Sequence, residues 1–293
     1  MSEPVIQIEN LTRRFGPKAA LDGVSLTIPA GTVFGLVGEN GAGKTTLIKH
    51  ALGLFKAQTG RVSVFGLDPV ADPVGVLGRI GYLSEDRDLP DWMRISELLR
   101  YSQAFYPSWD AMYVDELLQT FDLDPGQRIK TLSRGQRAQA GLIVALAHRP
   151  ALLLLDEPSS GLDPVVRRDI LSAIIRTVAD EGRTVVFSSH LLDEIERVSD
   201  RVAMIHAGRV ALCGELDEIK AGHRRLTLHF SQPQAARPAL AGALACEGEG
   251  TEWIALVNGR IEEFRQSAAA AGARIVADET PSLDEIFVAR VRP

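Results

Sequence analysis

The sequence predicts an α/β protein with a largely parallel central sheet, and three observations predict it. Short β-rich runs alternate with amphipathic helical stretches over residues 5–221. A glycine-rich run at residues 38–45 stands between an apolar strand and a helix. The apolar run LLLLDE at residues 152–157 ends in two carboxylates. Parallel sheets collect such loops at the carboxyl ends of their strands, so we expect both runs to meet at one edge.

The composition indicates a globular chain. It has 293 residues, 45% of them hydrophobic, and a formal net charge of −6 at pH 7. No apolar stretch approaches the roughly 18 residues that span a bilayer, and the first residues lack a signal-peptide pattern, which predicts a soluble cytoplasmic protein. The negative charge argues against a broad nucleic-acid surface, so we expect no nucleic acid partner. Cys213 and Cys246 are expected to be buried, reduced thiols.

The N-terminal part contains four predicted strands and a helix. Residues 6–11, 25–28 and 61–65 are β-rich runs separated by glycine and proline turn signals, which predicts a mixed N-terminal β-subdomain beside the parallel core. Residues 32–38 form an apolar strand that enters the glycine-rich run, and residues 46–52 form the helix that leaves it.

The run GENGAGKT matches the phosphate-loop pattern G-x-x-x-x-G-K-[ST] at every fixed position. Its glycines let backbone N–H groups approach phosphate oxygens, the Lys44 ammonium reaches the β- and γ-phosphates, and the Thr45 hydroxyl ligates Mg²⁺. The run predicts a P-loop NTPase core that binds a nucleoside triphosphate. The candidate nucleotide-binding residues of this segment are Gly38, Glu39, Asn40, Gly41, Ala42, Gly43, Lys44, Thr45 and Thr46.

Between residues 91 and 147 the pattern changes to helical segments rich in Leu, Tyr and Trp, which predicts an inserted helical subdomain. The run LSRGQ at residues 132–136 precedes an Ala- and Leu-rich helix, so Ser133 and Gly135 lie at a helix N-terminus. Such an end offers a hydroxyl, free N–H groups and a dipole to an anion, although a serine that only caps the helix predicts the same pattern.

The strand predicted before Asp156 and Glu157 brings both carboxylates to the carboxyl end of the sheet. In a P-loop NTPase this is the position of the Asp that organises Mg²⁺, so Asp156 is a candidate metal ligand. Glu157 is placed to polarise the attacking water as a general base. Without the phosphate loop, the same run would more often be a plain buried strand.

After residue 222 the pattern changes again and predicts a small α+β domain at residues 222–293, following a first domain at residues 1–221. The predicted elements are strands at 226–230 and 253–257, a helix at 261–271, a strand at 274–277 and a last helix opened by a capping box at 282–285. Residues 232–250, rich in Ala, Pro and Gly, are predicted as loop and turn around one short helix.

Taken together, the motifs resemble those of the ATP-binding cassette (ABC) family. The phosphate loop, LSRGQ in place of the commoner LSGGQ, the strand LLLLDE, the run SGLD at residues 160–163, and His190 after a strand at 184–188 occur in the family's order and at its usual separations. The resemblance covers residues 5–221. It implies an ATPase that uses ATP with Mg²⁺.

The resemblance also implies roles for single residues. Phe15 falls where the family stacks an aromatic ring on adenine, although a core phenylalanine at the edge of the N-terminal sheet remains an alternative. His190 matches the switch histidine that contacts the γ-phosphate and joins Glu157 and Lys44 as a catalytic residue. Asp163 matches the loop that couples two active sites.

The family further implies a head-to-tail homodimer. In it, Lys44 of one copy and the LSRGQ residues of the other hold the same ATP. The residues that this assigns to nucleotide binding from the second copy are Ser133, Gly135 and Gln136.

The loop after the predicted strand at residues 80–83 departs from the family pattern. The family places a Gln there that senses Mg²⁺ and faces the membrane partner, whereas this chain has Glu85. A carboxylate can ligate Mg²⁺, so the expected metal ligands are Thr45, Asp156 and Glu85. An alignment in which neither Glu85 nor Asp86 is a ligand stays open.

Glu85, the lead-in IGYL and the C-terminal run PSLDEIFV resemble the ATPase subunits of bacterial exporters for drugs, antibiotics or lipid-linked products. The expected function is to dimerise on ATP and drive export through a separate integral membrane permease, on the inner face of the cell membrane. An importer subunit with a regulatory C-terminal domain and a soluble non-transport ABC ATPase are the alternatives. Repair and chromosome ATPases are disfavoured because residues 46–132 contain no sustained heptads.

Overall fold

A computed structural model of the protein describes residues 4–179 and 182–291. The chain divides into two compact units, Met1–Val210 and Ala211–Pro293. The sequence pattern predicted this boundary later, at residue 221. The difference arises because the helix Leu216–Ala221 packs against the strand His223–Gln234 of the second unit.

The elements follow one another along the chain with short connections. The strands are β1 (Pro4–Phe15), β2 (Lys18–Pro29), β3 (Val33–Val37), β4 (Thr59–Val64), β5 (Ile80–Leu83), β6 (Leu152–Leu155), β7 (Thr184–Ser189), β8 (Arg201–His206), β9 (Arg209–Glu215), β10 (His223–Gln234), β11 (Ala243–Asn258) and β12 (Ala273–Glu279). The helices are α1 (Lys44–Ala51), α2 (Pro73–Leu77), α3 (Ile95–Gln103), α4 (Ala111–Thr120), α5 (Arg134–Leu146), α6 (Pro164–Ala179), α7 (Leu192–Val198), α8 (Leu216–Ala221), α9 (Ile261–Ala270) and α10 (Leu283–Val291).

The first unit is built on two sheets. The predicted N-terminal β-subdomain is a three-stranded antiparallel sheet in the order β2-β1-β4. The predicted α/β core is a sheet whose strands β5-β6-β7-β3-β8 run parallel in that order, with the start of β9 next to β8 at its edge. Every residue of β3, β6 and β7 is buried, as expected for parallel strands covered on both faces. Their carboxyl ends therefore meet at one edge.

Helices α3, α4 and α5 lie in the segment that was predicted to be helical. Helix α5 begins at Arg134, and a capping box joins Ser133 and Gln136 at its start. The run FYPSW at residues 105–109, before α4, has one buried and one exposed part. The Tyr106 ring stacks on the buried His148 ring with centroids 3.8 Å apart, whereas Phe105 remains 63% exposed. No helix in the described ranges is long and apolar enough to cross a bilayer.

The second unit is a three-stranded antiparallel sheet in the order β11-β10-β12 with helices α8, α9 and α10. The prediction of a short helix within residues 232–250 is wrong, since β10 extends to Gln234 and β11 begins at Ala243. Pairing of Gln234 with Gly250 and burial of Cys246 favour strand over helix there. Cys246 is a buried free thiol as expected, but Cys213 is exposed because it lies on β9.

Candidate functional site

The glycine-rich loop joins the central strand β3 to α1, and its conformation requires glycine. Gly43 has φ 119°, and a Cβ there would lie 2.5 Å from the carbonyl oxygen of Ala20. No residue with a side chain fits both constraints. The loop can therefore turn directly into α1 at Lys44, and the helix N-terminus faces the loop.

A cavity of about 470 Å³ surrounds this loop. It brings together residues predicted from separate motifs, namely Phe15, Asn40, Gly41, Gly43, Lys44, Thr45, Thr46, Glu85 and Glu157. Lys18 also lines it, with its Nζ 3.7 Å from the position that a Cβ of Gly41 would take. Lys18 adds a second ammonium beside the loop. Sequence reasoning missed Lys18 because this residue begins β2, outside every motif.

Phe15 ends β1 at the rim of this cavity and is 45% exposed, which rules out the core alternative. Its ring packs edge-to-face on Phe55 with centroids 5.7 Å apart, and the Arg13 guanidinium lies 4.7 Å from the same ring. An exposed aromatic ring supported from the side can stack on a planar base.

Lys44, Glu157 and His190 form one chain of contacts. The Lys44 ammonium donates to the Gly38 carbonyl at 2.6 Å and lies 3.0 Å from Glu157 Oε1, an ion pair outside hydrogen-bond geometry. Glu157 Oε2 lies 2.7 Å from His190 Nδ1. Lys44 and Glu157 are 5% and 3% exposed, so the pair is shielded from water, whereas His190 is half-buried.

Asp156 is 1% exposed, and only one of its two carboxylate oxygens has a hydrogen-bond partner among the described atoms. The Ser188 hydroxyl donates to Asp156 Oδ1 at 2.6 Å, and the Glu157 N–H donates to Ser188 Oγ at 2.9 Å. Among the described atoms, Asp156 Oδ2 has no hydrogen-bond partner. A buried carboxylate oxygen left in this way is costly, and it is the type of ligand that Mg²⁺ prefers.

Glu85 lies in the electrostatic field of these carboxylates. Burial raises its pKa first, the charges of Asp156, Glu157 and Asp86 raise it further, and Lys44 opposes them. A divalent cation would relieve this repulsion. In the described part of the chain, no three His, Cys, Asp or Glu side chains form a ready metal cluster. Thr45, whose hydroxyl is a further oxygen ligand, lines the same cavity as Glu85.

The residues of the LSRGQ run lie outside the phosphate-loop cavity, since none of them lines it. Ser133 accepts from the Gln136 N–H at 3.1 Å, and Gln136 Oε1 accepts from the Ser133 N–H at 3.0 Å. Gly135 is required by packing, since a Cβ there would lie 2.9 Å from Val166 Cγ2 of α6. Within one chain, the phosphate loop and the LSRGQ helix end are thus separate.

Asp163 also has a local role that sequence reasoning missed. Its Oδ1 accepts from the N–H groups of Val165 and Val166 at 3.0 and 3.2 Å, which caps the N-terminus of α6. The pattern Asp-Pro before an apolar stretch is the signal that could have shown it. The carboxylate nevertheless remains exposed.

Comparisons with known proteins agree with this arrangement. A family model described as ABC transporter matches residues 21–160. The uncharacterized ABC transporter ATP-binding protein YhaQ of Bacillus subtilis is 31% identical over 300 residues, 98% of each chain. The daunorubicin resistance ATP-binding protein DrrA3 of Streptomyces coeruleorubidus is 35% identical, over 75% of this chain and 71% of its own.

A solved ATP-binding subunit of an ABC transporter superposes with a TM-score of 0.69 at 28% identity, covering 74% of this chain and 92% of the other. These matches agree with the geometry of the site, in which a phosphate loop, a buried Lys–Glu pair and an Asp oxygen without a hydrogen-bond partner lie at the carboxyl edge of one parallel sheet. The chain belongs to the ABC transporter family and is an ATP-binding, ATP-hydrolysing subunit.

Proposed function

We propose that two copies of this chain close head-to-tail on ATP and drive export through a separate membrane permease. One observation carries the dimer: the phosphate cavity and the LSRGQ helix end are separate in one chain, yet both have groups suited to phosphate. A second copy supplies Ser133, Gly135 and Gln136 to the cavity of the first, with Asp163 beside them.

The cavity residues then have distinct tasks. Phe15 stacks on the adenine, and the loop at residues 38–46 holds the phosphates. Thr45, Asp156 and Glu85 would hold Mg²⁺, which would neutralise charge on the phosphate oxygens. Lys44 contacts Glu157, so bound phosphates would compete for this ammonium and free the Glu157 carboxylate. Glu157 then accepts a proton from water. His190 orients the Glu157 carboxylate through their contact.

Docking on a permease is supported by the helical part of the first unit. Tyr101 and Phe105 pack edge-to-face with centroids 5.2 Å apart, yet they are 56% and 63% exposed. Trp92 and Met112 are exposed as well. A group of large apolar side chains exposed to water is typical of a protein-binding surface. A permease bound there would hold the ATPase on the inner face of the membrane. The name of DrrA3 supports drug export as the direction.

Mixed dimers test the head-to-tail arrangement. We pair Ser133→Arg on one copy with Lys44→Ala on the other, using two affinity tags to isolate the heterodimer. Both changes fall in the same composite site, so we expect one intact site and roughly half of the wild-type ATP bound per dimer. A heterodimer with no functional site would show that each site lies within one chain.

Inside-out vesicles test the direction. They are prepared from cells that co-express the chain with the membrane protein encoded beside it, and daunorubicin fluorescence is the probe. Export predicts ATP-dependent accumulation of the drug inside the vesicles, lost with Lys44→Ala. ATP-dependent release of a preloaded solute from the same vesicles would instead establish import.

A further inference from the structure

A buried arginine lies behind the candidate base and has no place in the functions assigned above. Arg87 follows β5 by a few residues, in the loop that carries Glu85, and is 8% exposed. No carboxylate of the described residues forms an ion pair with it. Removing a guanidinium from water is costly, and burial lowers the pKa of Arg87 while Glu85 raises it.

The guanidinium binds backbone carbonyls instead. Arg87 Nη2 donates to the carbonyl oxygens of Ser160 at 2.8 Å, Pro158 at 3.1 Å and, more weakly, Glu157 at 3.4 Å. One terminal nitrogen therefore holds the turn that leads from Glu157 towards Asp163. The same turn is closed by the Ser160 N–H, which donates to the Glu157 carbonyl at 3.1 Å.

This turn needs support because of its backbone. Glu157 has φ 46°, in the left-handed region that side chains disfavour, and such a residue persists only where its surroundings fix it. Ser188 Oγ accepts the Glu157 N–H at 2.9 Å on one side of the residue. Arg87 holds the carbonyl side. Together they determine where the carboxylate points.

We propose that Arg87 is a positioning residue that fixes the turn at residues 157–160 and so aims the Glu157 carboxylate at the reacting water. Arg87 also connects that turn to the loop that carries Glu85. A displacement of this loop would therefore move the Glu157 turn through the Arg87 side chain. The proposal rests on the base role proposed for Glu157.

Kinetics of Arg87→Met test it, with Arg100→Met on the exposed face of α3 as the matched control. Arg87→Met removes a charged donor to backbone carbonyls, and the free energy of such hydrogen bonds corresponds to a loss of about 10-fold to 100-fold in kcat. We expect that loss with KM for ATP changed less than about threefold, and no loss for the control. Arg87→Lys, which keeps a charged donor, recovers part of kcat. Wild-type kcat in Arg87→Met overturns the proposal.

A double-mutant cycle separates positioning from general support of the fold. Because Arg87 acts through Glu157, adding Arg87→Met to Glu157→Gln should lower single-turnover hydrolysis by no more than about twofold. A further tenfold loss on that background, or failure of both the Met and Lys variants to fold, assigns Arg87 a structural role instead. Wild-type turnover in Glu157→Gln alone would remove the base, whatever Arg87 does.

Discussion

The two compact units bury different kinds of side chain. Among its described residues, the first unit buries five charged side chains, namely Lys44, Arg87, Asp156, Glu157 and Glu194. In the described part of the second unit, His223 is the one buried polar side chain. The ion pairs of this unit lie at the surface. Buried charge is costly unless it is paired and hydrogen-bonded.

The second unit is instead stabilised by an apolar core. Phe230, Trp253 and Phe264 are buried among aliphatic side chains from all three strands and α9. Burial of each such side chain stabilises a fold by about 1.5–3 kcal/mol. Nothing in this core requires a ligand. We therefore expect ATP turnover to depend on the buried charges of the first unit, and the predictions below test this from the largest effect to the smallest.

Glu157→Gln should have the largest effect. It keeps the shape of the side chain but removes the proton acceptor, so hydrolysis should fall by about 10²- to 10⁴-fold while ATP binding persists. The matched change in the second unit is Glu252→Gln, on the exposed face of β11, which should leave turnover unchanged. Phosphate release and equilibrium ATP binding measure both variants. Unchanged turnover in Glu157→Gln would remove it from the base role, and a comparable loss in Glu252→Gln would break the comparison.

Sequence reasoning found the parts of the site that are continuous in the chain. The phosphate loop and the pair Asp156 and Glu157 each follow one strand, so a local motif shows them. Ser188 on β7 and Arg87 in the loop after β5 contact the same turn, and no local pattern marks a hydroxyl or a guanidinium that binds a distant backbone. Long-range contacts of this type are visible only once the sheet order is known.

The fold shows the same limit. The parallel core was predictable because its strands are apolar throughout and alternate with helices. The strands within residues 232–250 were missed because Ala and Gly have weak β-propensity, and their pairing depends on β10. Local composition favoured a loop, and pairing with a neighbouring strand decided otherwise.

His223 predicts how the second unit responds to pH. Its Nδ1 lies 2.6 Å from the Ile219 carbonyl, and its Nε2 lies 3.4 Å from the Arg290 guanidinium. Burial lowers the pKa of His223 and the Arg290 charge lowers it further, against the raising effect of the Ile219 hydrogen bond. The unfolded state therefore binds the proton more readily, so stability is full above the unfolded pKa of 6.5 and falls as pH drops below it.

The measurement is chemical denaturation between pH 7.5 and 5.5, followed by Trp253 fluorescence in a chain with Trp92→Phe and Trp109→Phe. One histidine contributes a slope of at most about 1.4 kcal/mol per pH unit to the free energy of unfolding. His223→Gln should remove this contribution and leave whatever slope other groups supply. Identical slopes in both chains would show that His223 takes up its proton equally well in the folded unit.

The smallest effect is expected at a surface ion pair of the second unit. Arg265 Nη2 lies 3.0 Å from Asp278 Oδ2, with the side chains 44% and 26% exposed, and Arg224 lies 2.7 Å from the other oxygen of Asp278. Arg265→Gln should lower the free energy of unfolding by about 0.2–1 kcal/mol, because water screens the pair and Asp278 keeps its second partner. At about 1 M salt the difference should vanish. A loss above about 2 kcal/mol, unchanged by salt, would show that the second unit also depends on desolvated charge, as the first does at Lys44 and Glu157.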